Sequence, residues 1–347
     1  MATGPSLGAA IVTAGGWRWA FFVNLPIGAI LLVLARRTLS ESRAEEETAR
    51  PDYPGAVLIS IALGAVVLAL SEGSSWGWSD PRIIASLVGT AAVMTGFVRR
   101  SQRHPNPVVD PALFADRTFV TANLATFGYA AGFFAMLLGN ILFLTSVWHY
   151  SIMRAGLAVT PGPLVVAVVA GPAGKLASRI GFRHIIVAGA ACFATGLLWY
   201  VAMVGATPAY VAHWLPGTLI VGLGVGLTFP VLSAAAVSSL PTHRYAVGSA
   251  VNQTARQIGG AIGVAVLVML LGTPHGVADA VTRFHHLWTY GAAAAAFSGV
   301  LGSMIPKPAA RALEVTAALT PELAAAPADL VLATELAPPL LLRPESM

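Results

Sequence analysis

Arg256 is the residue most able to do chemistry in an unexpected place. It lies within the apolar run SAVNQTARQIGGAIGVAVLVMLL, residues 249–271. A guanidinium presents five donors and no acceptor, so it can bind carboxylate, phosphate or carbonyl oxygens, or lie over an aromatic face. At the centre of a membrane helix an arginine costs about 2.5 to 3.5 kcal/mol, so such a residue faces a bundle interior or a wet cavity, or else snorkels to the surface. Asn123, Tyr129, Asn140 and Thr145 in one apolar run, with Asn252 and Gln253 beside Arg256, form the remaining polar set. These side chains could line a mostly apolar pocket and orient a ligand there, or they could bond one helix to another.

Acid–base and metal chemistry find little material. The apolar runs contain no Asp or Glu, and the eight histidines fall in loops or at the ends of runs. HExxH, Walker, CxxC and GxSxG patterns are all missing, so the expectation is no enzyme, no metal and no cofactor. Cys192 is the single cysteine and sits in AACFATGLLW, the setting of an inert packed thiol.

The elements that must carry these residues follow from composition. Only 10% of the 347 residues are charged, 56% are apolar, and the mean hydropathy is +0.75. A soluble chain carries about 25% charge. Uncharged stretches near the twenty residues needed to cross a bilayer alternate with short basic ones, which predicts an all-α, multi-pass transmembrane helix bundle. The first run, from Ala2 to about Ala14, covers roughly 20 Å at 1.5 Å per residue and is half a span. Complete spans are expected near 19–35, 54–71, 82–99, 119–145, 157–175, 185–204, 211–232, 247–271 and 286–305, about ten in all with the short first one.

Charge distribution sets an orientation. With the first run pointing outward, Arg18, Arg82, Arg154 and Arg283 fall outside and Arg256 within a span, while the rest of the 20 Lys and Arg residues fall inside. That asymmetry predicts a cytoplasmic C-terminus and reads the net charge of +5 as topology, with membrane lipid and no nucleic acid as partner. Trp17, Trp19, Trp76, Trp78 and Trp148 fall near the outer loops, where rings at the headgroup level are expected.

Two local patterns bear on movement. Gly4 and Gly8 in GPSLG share a helix face and permit close approach of a neighbouring backbone, and Pro5 between them removes a hydrogen bond and invites a bend. The segment aligns without gaps on Gly259-Gly-Ala-Ile-Gly263-Val-Ala-Val, as expected of two related halves around a central axis. In GPAGKLASRIGFRH, 171–184, Gly181 permits a tight reversal, and Arg179 and Arg183 can anchor to lipid phosphate or helix C-terminal carbonyls. Pro161, Pro163, Pro172 and the GLGVGLTFP segment suggest bent helices.

GPSLGAAI, WRWAFFVNLPIG, LALSEGSSWGW and DPALFADRTF together resemble the fourteen-helix drug:proton antiporter branch of the major facilitator superfamily, over about residues 4 to 305. Gly174, Leu176, Ala177, Arg179, Gly181 and Arg183 match that superfamily's short inner-loop motif, with Ser178 at its Asp position, and Ala155-Gly156-Leu157 preserves a further match. The resemblance implies a partial major facilitator fold. Residues 1–35 would be the last two helices of an N-terminal bundle, the first truncated, and 36–53 a cytoplasmic linker. Residues 54–99 would be two inserted helices, 100–118 a second linker, 119–305 the C-terminal six-helix bundle, and 306–347 a disordered cytoplasmic tail. The implied function is export of small amphipathic compounds or drugs across the plasma membrane by alternating access, coupled to protons. Two alternatives stand beside it: a truncated remnant that does not transport, and one chain of a split transporter whose partner supplies the missing helices.

Overall fold

The computed structural model describes residues 4–38, 52–104, 107–241 and 244–306, and every regular element among them is helical. Residues 39–51 of the first expected linker and 307–347 of the expected tail lie outside the described residues.

Short polar caps start many of the helices. α1 (Gly4–Gly15), α2 (Trp19–Phe22) and α3 (Asn24–Thr38) come first, so the expected span at 19–35 is interrupted at Val23. Asp52 caps α4 (Tyr53–Trp76) by accepting from Gly55 N at 3.0 Å, and Asp80 caps α5 (Pro81–Ser101) by accepting from Arg82 N at 2.7 Å. Asp110 opens a 3₁₀ turn over Pro111–Ala115, and Asp116 caps α6 (Arg117–Ser146) through Phe119 N. Each carboxylate satisfies a backbone N–H that has no partner within its helix and complements the positive end of the helix dipole. Ser151 caps α7 (Ile152–Val159), and Pro161 heads α8 (Pro161–Ile180), its missing N–H costing no bond there. α9 (Phe182–Met203) follows α8 across Gly181 alone, whose φ of +99° only glycine adopts without strain. A π turn at Tyr210–Trp214 leads into α10 (Leu215–Val237), followed by α11 (Tyr245–Leu271) and α12 (Val277–Ser303).

Eight helical stretches among the described residues are long and apolar enough to cross a membrane, beginning with Trp19–Arg37. α1 is described over Gly4–Gly15. α12 has the length but is not among these eight. It is nonetheless packed in the bundle, against α6 and α9.

Residues 117–303 pack around α6 and α10. α6 lies against α10, α11 and α12, α10 lies against α8 and α9, and α9 meets α12. Phe143, Trp214, Tyr200 and Trp288 fill one end of this core, with Phe143 on Trp214 at 5.7 Å and Tyr200 on Trp214 at 4.8 Å between ring centroids. Trp148 belongs to that cluster. It is 4% exposed, it packs on Phe143 and Trp214, and its Nε1 donates to Gly205 O at 2.9 Å. The expectation of a headgroup-level ring is therefore corrected for Trp148: the loop after α6 folds back over the bundle end and carries the indole inward. Trp17, Trp19, Trp76 and Trp78 are exposed.

Cross-connections sort the two ends of the molecule. At one end Asp52 pairs with Arg100 and Asp110 with Arg244, each at 2.8 Å. At the other, Trp148 reaches Gly205, His285 Nε2 bonds Val204 O at 2.8 Å, and Arg283 Nη1 donates to Leu271 O at 3.2 Å. α4 and α5 form a hairpin whose α4 touches α11, and α1 packs on α7.

Candidate functional site

The polar candidates of α6 and α11 divide into two sets. Asn252 is buried and donates from Nδ2 to Asn123 Oδ1 at 3.2 Å and to Thr126 Oγ1 at 3.0 Å. Asn123 Nδ2 in turn donates to Phe119 O and Thr126 Oγ1 to Ala122 O, both at 2.8 Å. This set bonds α6 to α11 across an apolar contact, where a polar group left without a partner would be costly. Asn140 is committed in the same way: its Oδ1 accepts from Trp288 Nε1 at 3.0 Å, and its Nδ2 contacts Met136 Sδ at 3.1 Å. Asn123, Asn140 and Asn252 thus hold helices together rather than facing open space.

Arg256 behaves differently. It is half-buried, and its guanidinium carbon lies 4.1 Å from the centroid of the Phe229 ring on α10. Among the described residues no carboxylate pairs with it. Stacking over a ring offsets part of the desolvation cost, by about 0.5 to 2 kcal/mol, and leaves the N–H edges free to bond. Phe229 packs edge-on against Tyr129 (5.0 Å) and Phe133 (5.1 Å), and Tyr129 meets Phe193 at 4.9 Å. Tyr129 is fully buried; its hydroxyl approaches the Thr228 side chain without a bond of good geometry. It is a wall of the aromatic cluster behind Arg256. Gln253 is exposed on α11. Thr145, near the far end of α6, is half-buried and donates back to Ile141 O at 2.9 Å, apart from the Arg256 cluster.

Phe229 is the partner that sequence reasoning missed. Its signal was present: an aromatic residue before Pro230 in a run otherwise made of small and branched side chains. What the sequence lacked was the register between α10 and α11.

The glycine patterns part company. A Cβ on Gly259 would fall on the carbonyl of Phe127, and one on Gly263 on the carbonyl of Ala131, so α11 and α6 touch backbone to backbone there. Around Gly4 and Gly8 the space is open. The close approach expected at Gly4 and Gly8 therefore has no counterpart among the described residues. In the connection from α8 to α9, Gly181 makes the tight reversal, whereas Gly174 has open space around it. Arg179 and Arg183 are exposed with no ion pair among the described residues, and Ser178 donates to Lys175 O at 2.7 Å. Among the described residues no group of His, Cys, Asp and Glu is arranged to hold a metal ion.

Residues 1–264 match the family described as Major Facilitator Superfamily. "Multidrug resistance protein Stp" of Mycobacterium tuberculosis (strain CDC 1551 / Oshkosh) is 35% identical over 271 residues, covering 78% of this chain and 49% of that protein. "Multidrug resistance protein B homolog" of Mycobacterium tuberculosis (strain ATCC 25618 / H37Rv) is 32% identical over 271 residues, 77% of this chain and 50% of that one. "Puromycin resistance protein pur8" of Streptomyces alboniger is 31% identical over 253 residues, 72% and 50% of the two chains. The chain spans about half the length of the curated relatives it matches.

Proposed function

Since this chain belongs to the Major Facilitator Superfamily and is a multi-pass helical membrane protein, we propose that it contributes the C-terminal bundle of a secondary active exporter of small amphipathic compounds. The carrying observation is Arg256: a half-buried cation stacked on Phe229, with aromatic rings behind it and no carboxylate of its own. An apolar aromatic wall bearing one cation suits flat molecules with a carbonyl, phenolate or carboxylate edge. The printed names of the relatives, resistance to puromycin among them, support this substrate class.

Alternating access requires a second bundle opposite this one, so that rocking about a midplane site opens each side in turn. The open face at Gly4 and Gly8 suits such a neighbour, whether it belongs to the same polypeptide or to a partner chain. None of the eight apolar spans carries a carboxylate, so the group that binds the coupling proton belongs to that neighbour. The end bearing Arg36, Arg37, Arg99, Arg100, Arg179 and Arg183 faces the cytoplasm of the plasma membrane by the positive-inside rule.

The test replaces Arg256 by Leu and by Lys in cells that depend on the transporter, measuring drug accumulation beside the amount of protein in the membrane. Arg256→Leu should leave the protein in the membrane and raise accumulation at least tenfold toward the empty-vector level, and Arg256→Lys should recover only part of the activity. Unchanged export by Arg256→Leu would overturn the assignment.

A further inference from the structure

The inner end of α5 carries a built hollow that the export reading does not use. It holds about 220 Å³ between α5 and the 3₁₀ turn, lined by Phe97, Val98, Ser101, Val109, Pro111 and Phe114. Both walls are fixed. Asp110 accepts from Ala112 N at 2.8 Å and pairs with Arg244, while Leu113 is buried against Phe119 and Leu240, so the turn is pinned to the bundle. Opposite it, Arg100 holds α5 to α4 through Asp52.

Within this apolar lining stands one polar side chain with nothing to bond among the described residues. Ser101 is 3% exposed, and its Oγ has no hydrogen-bond partner among the described residues. A buried hydroxyl in that condition costs free energy unless a ligand supplies an acceptor. Ser101 is also the last residue of α5, a helix long and apolar enough to cross a membrane. Arg99 and Arg103 flank it in sequence and Arg117 opens α6; all three are exposed, and none forms an ion pair with a described residue.

We propose that this hollow binds an anionic phospholipid of the cytoplasmic leaflet. One acyl chain lies against Phe97, Val98 and Phe114, an ester or phosphate oxygen accepts from Ser101, and the phosphate faces Arg99 and Arg103. A lipid seated there bridges the α4–α5 hairpin to the turn that is pinned on the C-terminal bundle. The apolar lining suits a chain, and the cationic rim suits a phosphate carrying net negative charge. The inference uses the orientation proposed above but not the export activity, and a binding readout separates the two.

The full chain in dodecyl maltoside is titrated with dioleoyl phosphatidylglycerol or dioleoyl phosphatidylcholine while thermal unfolding is followed by tryptophan fluorescence. Phosphatidylglycerol should raise the Tm at a concentration at least tenfold lower than phosphatidylcholine. Val98→Trp, which fills the hollow from an exposed position, should abolish that preference while leaving the lipid-free Tm in place. Phe114→Ala removes a wall whose ring is 54% exposed, so it tests the same point without loading the core. Arg99→Gln with Arg103→Gln should bring the two lipids to within threefold of each other. Equal responses of the wild type to both lipids would overturn the proposal, as would an undiminished preference in both Val98→Trp and Phe114→Ala.

Discussion

The same short glycine pattern occurs on α1 and on α11, and the two copies meet opposite surroundings. On α11, Gly259 and Gly263 sit against the carbonyls of Phe127 and Ala131, with no room for even one methyl group. On α1, Gly4 and Gly8 face open space. The surrounding helices repeat the contrast. In α6, 61% of the most apolar window is buried by neighbouring helices, whereas for Trp19–Arg37 the figure is 0%, so the first is held by protein and the second is left to other surroundings. A small-residue pattern is thus permission for close packing, and the partner helix decides whether the permission is used.

The sharpest way to break this contrast is to add bulk at matched positions. Gly263→Leu forces side-chain atoms into backbone and should destabilise the chain by about 3 kcal/mol, the upper end for overpacked sites. Gly8→Leu should stay within about 0.5 kcal/mol of the wild type, as for a site without neighbours. Thermal unfolding of the purified chain in detergent checks both, and equal losses would erase the distinction. A smaller effect is expected from the bonds that tie α6 to α11. A double-mutant cycle on Asn252→Ala and Asn123→Ala should return a coupling of about 0.6 to 1.7 kcal/mol, the range for hydrogen bonds between membrane helices. A coupling near zero would mean that glycine packing alone sets the contact.

The least effect is expected outside the bundle, at the α4–α5 hairpin. Burial of Asp52 pushes its carboxyl upward, but the Gly55 N–H and the Arg100 guanidinium outweigh burial and hold it below the ordinary carboxylate value. A lowered folded-state value means that the stabilisation is complete above the unfolded value of about 3.9 and is lost as pH falls through the lower folded one. The hairpin should therefore be insensitive to pH near neutrality and loosen only in strong acid. Asp52→Asn should remove that acid transition, read as the pH dependence of amide hydrogen exchange in the first turns of α4.

Much of the architecture was legible because lipid imposes long apolar runs. Five of the six C-terminal spans lie where hydropathy puts them, with ends within about five residues, whereas α12 begins at Val277, well before the expected 286. α4 continues to Trp76 because SEGSSW remains helical up to Gly77, whose φ of +93° stops it. The candidate site was legible only in part. Arg256 stood out because a charge in an apolar run has few explanations. Asn123, Asn140 and Asn252 were ambiguous because an amide bonds equally well to a ligand or a neighbouring helix, and only the register of α6 against α11 and α12 decides. Trp148 misled for a related reason: loop position does not reveal whether the loop folds back over the core.

The most direct test of the contrast is amide hydrogen exchange on the unmodified chain in lipid nanodiscs, comparing α3 with α6 and α10. The packing described here predicts exchange in Asn24–Thr38 at least tenfold faster than in Arg117–Ser146 and Leu215–Val237, because only the latter must open against buried contacts. Equal protection across all three would show the N-terminal helices to be as firmly packed as the bundle and would contradict the account.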